Sequence, residues 1–313
     1  EIITGSIDFF RKSGLDLIQN EPLAPSKGFM FFYTNSAATM TKGVDITLKS
    51  RNLTRTIRWN TTLLLSTVKD EVVKFSQLQT ASSIRNPNKR PGLTGKPLYS
   101  IYSYRWAGLD PENGDPRGYL NGSPSTDYAG IMNNFQPDSL VYHGSARPVV
   151  FGSLRNDWSW KNITLSVNLI GKFAYYFRRP STTLNYQEIL AGMGHSEFSG
   201  RWQAKGDELT TNVPSLAYPA NSNRNLFYEY SETLVERGDH IRLQDIRLDY
   251  DFPLKSSGRS KVQALAVYAY LNNAGILWRA NKHAIDPDYV TSTVNFILPA
   301  PFSLSLGARV VFK

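Results

Sequence analysis

Residues 302–313, FSLSLGARVVFK, separate into two faces when read at every second position. Phe302, Leu304, Leu306, Ala308, Val310 and Phe312 form one face, wholly apolar. Ser303, Ser305, Gly307, Arg309, Val311 and Lys313 form the other, mostly small or charged. A period of two marks a strand whose alternate side chains meet different media. Strands of soluble sheets usually run about five or six residues, whereas about 9 to 11 tilted residues cross a hydrocarbon layer. Twelve alternating residues without a break predict a membrane-spanning strand, lipid on one side and a wet lumen on the other.

The same alternation recurs upstream. ITLSVNLIGKFAYYF sets Ile163, Leu165, Val167, Leu169, Phe173, Tyr175 and Phe177 against Thr164, Ser166, Asn168 and Lys172. IRWNTTLLL sets Ile57, Trp59, Leu63 and Leu65 against Arg58, Asn60 and Thr62, and GVDITLK sets Val44, Ile46 and Leu48 against Asp45, Thr47 and Lys49. HIRLQDIRLDYDF begins on Ile241 and Leu243, then changes phase to Ile246, Leu248, Tyr250 and Phe252. That slip predicts a β-bulge near Gln244 and Asp245. The one short helical pattern is LNYQEILAGM, 184–193.

Ten strands are expected, near 2–10, 43–51, 54–68, 97–107, 117–121, 146–158, 161–177, 240–252, 261–278 and 302–313. Their connections alternate strictly between long and short. An antiparallel up-and-down barrel in an outer membrane has this pattern, with short turns on the periplasmic side and long loops outside. WSWKN is a tight reversal between two long strands, and GLDPENGDP is a turn built around Asn113-Gly114. Its Asp110, Glu112 and Asp115 suggest a Ca²⁺ loop as an alternative, but EF-hand spacing and the terminal Glu are missing.

Composition narrows the classes. The mean hydropathy of −0.34 is that of a soluble chain, yet a barrel strand is apolar on one side only. Aromatic residues reach 12 %, which suits strands and interfacial belts. The 313 residues contain no cysteine and four scattered histidines, so neither a disulfide framework nor a metal or cofactor site is expected. A net charge of +9 is spread along the chain without the basic stripe of a nucleic-acid binder, so no nucleic-acid partner is expected. Paired carboxylates, Ser/His/Asp sets and phosphate loops in usable context are missing, and no enzymatic role is expected. AGMGH (191–195) reads as a flexible loop. EIITGSIDFF is not a signal peptide.

YSYRWAGLDPENGDP (102–116), FGSLRNDWSWKNITLSV (151–167), RWQAKGDELTTNVPS (201–215) and ERGDHIRLQDIRLDYDFP (236–253) resemble the C-terminal half of SusC/RagA-like TonB-dependent outer-membrane transporters of Bacteroidetes. The ending does too, with DPDYV in the last loop and then LPAPFSLSLGARVVF. The resemblance runs from about residue 3 to the end. It implies a 22-stranded barrel of which residues 1–313 are the last part, with the plug, the TonB box and the first strands lying outside this sequence. Members of the family usually end on the aromatic itself, and here Lys313 follows Phe312.

The resemblance further implies outer-membrane import of a glycan or peptide nutrient, with a SusD-like surface lipoprotein as lid and TonB pulling on the plug. Membrane lipid and lipopolysaccharide would surround the wall, and the barrel-assembly machinery would read the last strand, Phe302, Leu304, Leu306, Val310 and Phe312. Aromatic and bidentate side chains of the long loops are the candidates for contact with substrate or lid: Phe31, Phe32, Tyr33, Arg201, Trp202, Tyr218, Tyr228 and Tyr230. The alternative for each is packing of the loops or an outer aromatic belt. Arg58, Lys172, Arg242 and Arg309 are expected to face the lumen, lining the channel or pairing with plug carboxylates. Trp158, Trp160 and Phe312 fit the inner belt near the periplasmic interface. A small passive pore and a soluble β-sandwich that binds carbohydrate stand as alternatives.

Overall fold

In a computed structural model the described residues are 2–22, 26, 28, 31–75, 93–133, 139–254, 262–290 and 299–312. In chain order the strands are β1 (Ile3–Pro22), β2 (Phe31–Thr54), β3 (Ile57–Phe75), β4 (Ser100–Tyr104), β5 (Gly118–Leu120), β6 (Ser123–Ser125) and β7 (Leu140–Ser145). They continue as β8 (Val150–Trp160), β9 (Ile163–Phe173), β10 (Tyr176–Arg178), β11 (Val235–Arg237), β12 (His240–Asp251), β13 (Val262–Arg279) and β14 (Ser303–Phe312). Among the described residues three short helices, α1 (Tyr128–Asn133), α2 (Tyr186–Leu190) and α3 (Ser222–Glu229), lie between strands.

Eight strands form one antiparallel sheet in the order β1-β2-β3-β8-β9-β12-β13-β14. Its register lines up the apolar sets found in the sequence. Leu48, Leu63, Leu154, Leu169 and Leu243 are successive cross-strand partners over five strands. Two rows closer to the short turns run Trp59, Trp158, Leu165, Leu248, Ala269 and Leu306. This face is uncovered: Phe9 is 79 % and Leu306 77 % exposed. The opposite face is polar and internally bonded. Ser166 donates to Asp157 at 2.5 Å, Asn168 to Asp245 at 2.9 Å and Ser66 to Asp45 at 2.6 Å. A sheet with such faces is at low energy only with hydrocarbon on one side and water on the other.

Two expectations on strands need correction. The stretches 97–107 and 117–121 are not wall strands, so among the described residues the wall has eight strands where ten were expected. They hold β4, paired with β7, and β5, paired with β6, in separate two-stranded ladders. Ser100 to Tyr104 are buried on both faces, which a lipid-facing strand cannot be. The first long loop, 11–42, is largely strand. β1 runs to Pro22 and pairs with β2 from Phe31 onward. Above the lipid these residues need no apolar face, so they carry no alternation to read.

Connections at one end join β2 to β3 (55–56), β8 to β9 (161–162) and β12 to β13 (252–261). Those at the other end are 23–30, 76–149, 174–239 and 280–302, so the long connections share one end. The strict alternation fails at the first of these, which β1 and β2 shorten to eight residues. Lys161 adopts φ 51, the left-handed conformation that a two-residue hairpin demands, and Asn162 donates to the Asp251 carbonyl at 2.7 Å. The bulge is where the phase slip placed it: the register of β12 shifts between Leu243 and Asp245 against both neighbours. The sandwich alternative fails, because among the described residues no second sheet packs on the apolar face. β1 and β14 lie at opposite edges, so among the described residues the sheet does not close on itself.

Candidate functional site at the loop face and lumenal rim

The two longest connections, 76–149 and 174–239, fold onto each other. The Tyr104 amide donates to the Tyr230 carbonyl at 2.9 Å, and the Trp106 amide donates to Glu232 at 3.1 Å. Between them Tyr102, Tyr104, Tyr128, Ile131, Leu140 and Phe227 make a core of their own. Phe227, from α3, stacks on Tyr104 at 5.6 Å and on Trp106 at 6.3 Å. Aromatic pairs add cohesion beyond their buried area. Arg178, at the end of β10, threads this module. It donates to the carbonyls of Tyr102 (2.7 Å) and Ser231 (3.0 Å) and lies 5.0 Å from the Tyr230 ring centroid. Burial lowers its pKa to about 10, which still leaves it charged at neutral pH.

The GLDPENGDP stretch is a turn. The Gly114 amide donates to the Asp110 carbonyl at 2.8 Å, and Gly114 has φ 71. Its carboxylates are engaged within the chain: Asp115 binds Arg224 of α3 at 2.6 Å, Glu112 pairs with Lys205, and Asp110 accepts the Glu112 amide. Among the described residues no group of three or more His, Cys, Asp or Glu side chains is placed to hold a metal.

At the lumenal rim the last long connection is strapped to the wall. Asp286 accepts two 2.6 Å contacts from Arg242 of β12. Asp288 takes Lys172 of β9 at 2.6 Å, His240 at 3.4 Å and Arg242 at 3.4 Å. Arg242 also donates to Asn273 of β13 at 2.9 Å. Burial opposes the charge on Asp288, but hydrogen bonds from His240 and Lys172 outweigh it and hold the carboxyl well below the usual range.

The anticipated contact residues divide. Phe32 and Tyr33 lie at the start of β2, not in a loop, and are exposed; the Phe31 side chain lies outside the described residues. Tyr218 is 83 % exposed and meets Tyr186 edge-on at 5.8 Å. The other four pack the module. Tyr228 is 2 % exposed and bonds Ser181 at 2.8 Å, Tyr230 lies under Arg178, and Arg201 sits 4.1 Å over Phe198. Trp202 covers Gly114 and donates to Glu208 at 3.1 Å. Tyr228 in particular is a core residue, because burying a Tyr with its hydroxyl bonded satisfies both of its ends.

Lys172 and Arg242 pair with the last loop, whereas Arg58 and Arg309 are exposed and make no ion pair among the described residues. Trp158 stacks on Trp59 at 6.2 Å near the short turns, with Lys161 over Trp160 at 4.9 Å. Phe302, Leu304, Leu306, Val310 and Phe312 are exposed along the edge strand. Lys313 lies outside the described residues. Sequence reading missed Arg178, Asp286 and Asp288. For the two aspartates the signal was in DPDYV, a capped turn with two acidic residues two positions apart.

One continuous sheet with an apolar outer face, an aromatic belt, a polar lumenal face and all long loops at one end is the wall of a bacterial outer-membrane β-barrel. Comparison with known proteins agrees. No family model matches the chain. It is 25 % identical, over 99 % of its length, to TonB-dependent receptor P26 of Formosa agariphila, and 20 % identical over 90 % to TonB-dependent receptor P3 of that organism. It spans about a third of those relatives, 33 % and 28 %. Among solved structures the RagAB peptide importer matches in its open-open state (TM-score 0.76, 18 % identity) and its closed-closed state (TM-score 0.73, 19 % identity). Each match covers 99 % of this chain and 33 % of the other. Over nearly its whole length the chain is similar to part of these TonB-dependent receptors, and its fold is that of the RagAB barrel wall.

Proposed function

We propose that residues 1–313 form a C-terminal portion of the barrel of an energy-coupled importer that takes up a peptide or oligosaccharide. Plug and TonB-contacting segment would belong to the remaining two-thirds of the protein. A SusD-like lipoprotein would seat on the loop face. The observation that carries the reading is the lumenal rim, where the last long loop is tied by Arg242 and Lys172 to a polar wall. Loops held in a fixed arrangement above a wet lumen suit a captured solute. The exposed Tyr33, Tyr186 and Tyr218 offer flat faces for stacking on sugar or peptide groups at that end. The relatives' naming as TonB-dependent receptors supports active rather than passive passage.

Two measurements test this. The denatured intact mass of the native detergent-extracted product should be roughly three times the 35.2 kDa of this chain, as the 33 % coverage of its relative implies. A product near 35 kDa from the outer membrane would leave a small passive pore instead. Cells expressing the intact receptor should then accumulate labelled peptide or oligosaccharide, and a protonophore should abolish that accumulation. Uptake indifferent to the protonophore would refute energy coupling.

A further inference from the structure

On the outward face of the first three strands, Arg11, Lys42 and Lys69 are consecutive cross-strand partners. Like charges directly opposite one another are destabilising in a sheet, so this row needs a reason. All three are exposed, and none has an ion pair among the described residues. Glu71 is the next residue of β3 on this face; it stands opposite Met40 and binds none of the three. Asp8, Asp45 and Asp70 belong to the lumenal face.

The row has a defined depth. Its members share the face of Phe9, Ile7, Val44, Ile46, Leu63 and Leu65, the apolar band. Ten residues separate Lys69 from Trp59 of the belt along β3. At ~3.4 Å per residue and a tilt of about 40° this is about 26 Å along the barrel axis, close to the ~25 Å height of an apolar band. Lys69 is at the end where the long loops lie. The three cations therefore stand where the outer leaflet's acyl chains give way to headgroups.

Directly beneath them is a trough of about 580 Å³, lined by Phe9, Val44 and Thr67 on one side and Arg11, Lys42 and Lys69 on the other. Its floor is the backbone of Phe10, Gly43, Val68 and Val149, whose side-chain positions face the lumen, where the Phe10 ring lies against Gly43. An apolar trough ending in three cations complements an anionic amphiphile. Inorganic phosphate would leave the trough empty, and a substrate in the lumen is on the wrong side of the wall. We propose that this surface binds a phosphorylated glycolipid of the outer leaflet, the phosphate on Arg11, Lys42 and Lys69 and an acyl chain in the trough at Gly43.

The test uses the full-length receptor in detergent, with bisphosphorylated lipid A, its dephosphorylated form and inorganic phosphate as probes, followed by native mass spectrometry and thermal unfolding. The wild type should bind the bisphosphorylated lipid tightly and the dephosphorylated form weakly, with no shift from inorganic phosphate. In the triple variant Arg11→Gln, Lys42→Gln, Lys69→Gln, binding of the bisphosphorylated lipid should weaken roughly a hundredfold, the sum of three basic contacts at a membrane surface. Lys49→Gln, on the lumenal face, should leave it unchanged. Should the triple variant fail to assemble, Lys42→Gln alone removes the centre of the row and should weaken binding several-fold. Equal binding of the two lipid forms by wild type, or equal binding of the bisphosphorylated form by wild type and variant, overturns the proposal. A shift from inorganic phosphate as large as from the lipid overturns the lipid assignment and leaves a plain anion site.

Discussion

Arg242 and Asp286 lie 44 residues apart in sequence and meet through two 2.6 Å contacts at the lumenal rim. The Arg242 side chain is only 6 % exposed there, so the pair is largely desolvated. Removing one partner of a buried pair costs about 3 kcal/mol when the other charge is left alone, and less here because Asp288 still faces Arg242 at 3.4 Å. Asp286→Asn should therefore free the 280–290 segment. Hydrogen exchange and limited proteolysis in that segment should rise while the wall stays protected, and an unchanged exchange pattern would show the strap to be dispensable.

Leu154 and Ser153 test which face meets lipid. Leu154 lies opposite Leu63, midway between the Trp59 belt and the Lys69 row. Leu154→Arg should destabilise the barrel by ~2–4 kcal/mol, the cost of a cation near the bilayer midplane, whereas Ser153→Arg on the lumenal side should be tolerated. Heat-modifiable migration in electrophoresis reads both. The reverse order of the two variants would invert the assignment of faces.

Tyr228 and Tyr218 separate packing from contact. Tyr228→Ala empties a fully enclosed site and should cost ~3 kcal/mol or more. Tyr218→Ala, at a position 83 % exposed, should leave thermal stability unchanged and weaken association with the lid or the solute. If Tyr218→Ala binds both as wild type does, the loop tip has no part in capture.

Gly114 has φ 71, and a methyl group there would press into the Trp202 ring. Gly114→Ala combines strain with a clash and should destabilise the loop module by about 1–3 kcal/mol. Redistribution of tryptophan fluorescence on titration with denaturant is the readout; coincident curves would mean the turn can flatten.

Acid should loosen the loop module and then the strap. Burial, with Arg178 nearby, lowers His143 to about 4. A folded value below the unfolded ~6.5 means its stabilising contribution is complete above pH ~6.5 and fades as pH falls toward 4. Asp288, held below its normal value, keeps its contribution above pH ~4 and loses it at still lower pH. Exchange protection around 140–145 should fall between pH 6.5 and 4.5 in the wild type and stay flat in His143→Gln.

The wall was legible because one-sided burial in lipid imposes a period of two over whole strands. The phase slip at Gln244 showed for the same reason, since a single extra residue moves every later side chain to the other face. The strand at 100–104 was misassigned to the wall because Ile101, Tyr102 and Tyr104 favour extended backbone whatever covers them. The same blindness made Tyr228 look like a contact residue.

The sequence by itself determined that alternate residues face lipid and water, where the turns lie, and that the long connections share one end. These follow from interactions between neighbours along one chain segment. Only the tertiary structure decided that Asp286 and Asp288 strap the last loop to Arg242 and Lys172, and that Arg178 threads the aromatic core. It alone brought Arg11, Lys42 and Lys69 into one row. Each of these joins residues from separate strands or loops, and which strand stands beside which, in which register, is a property of the assembled sheet.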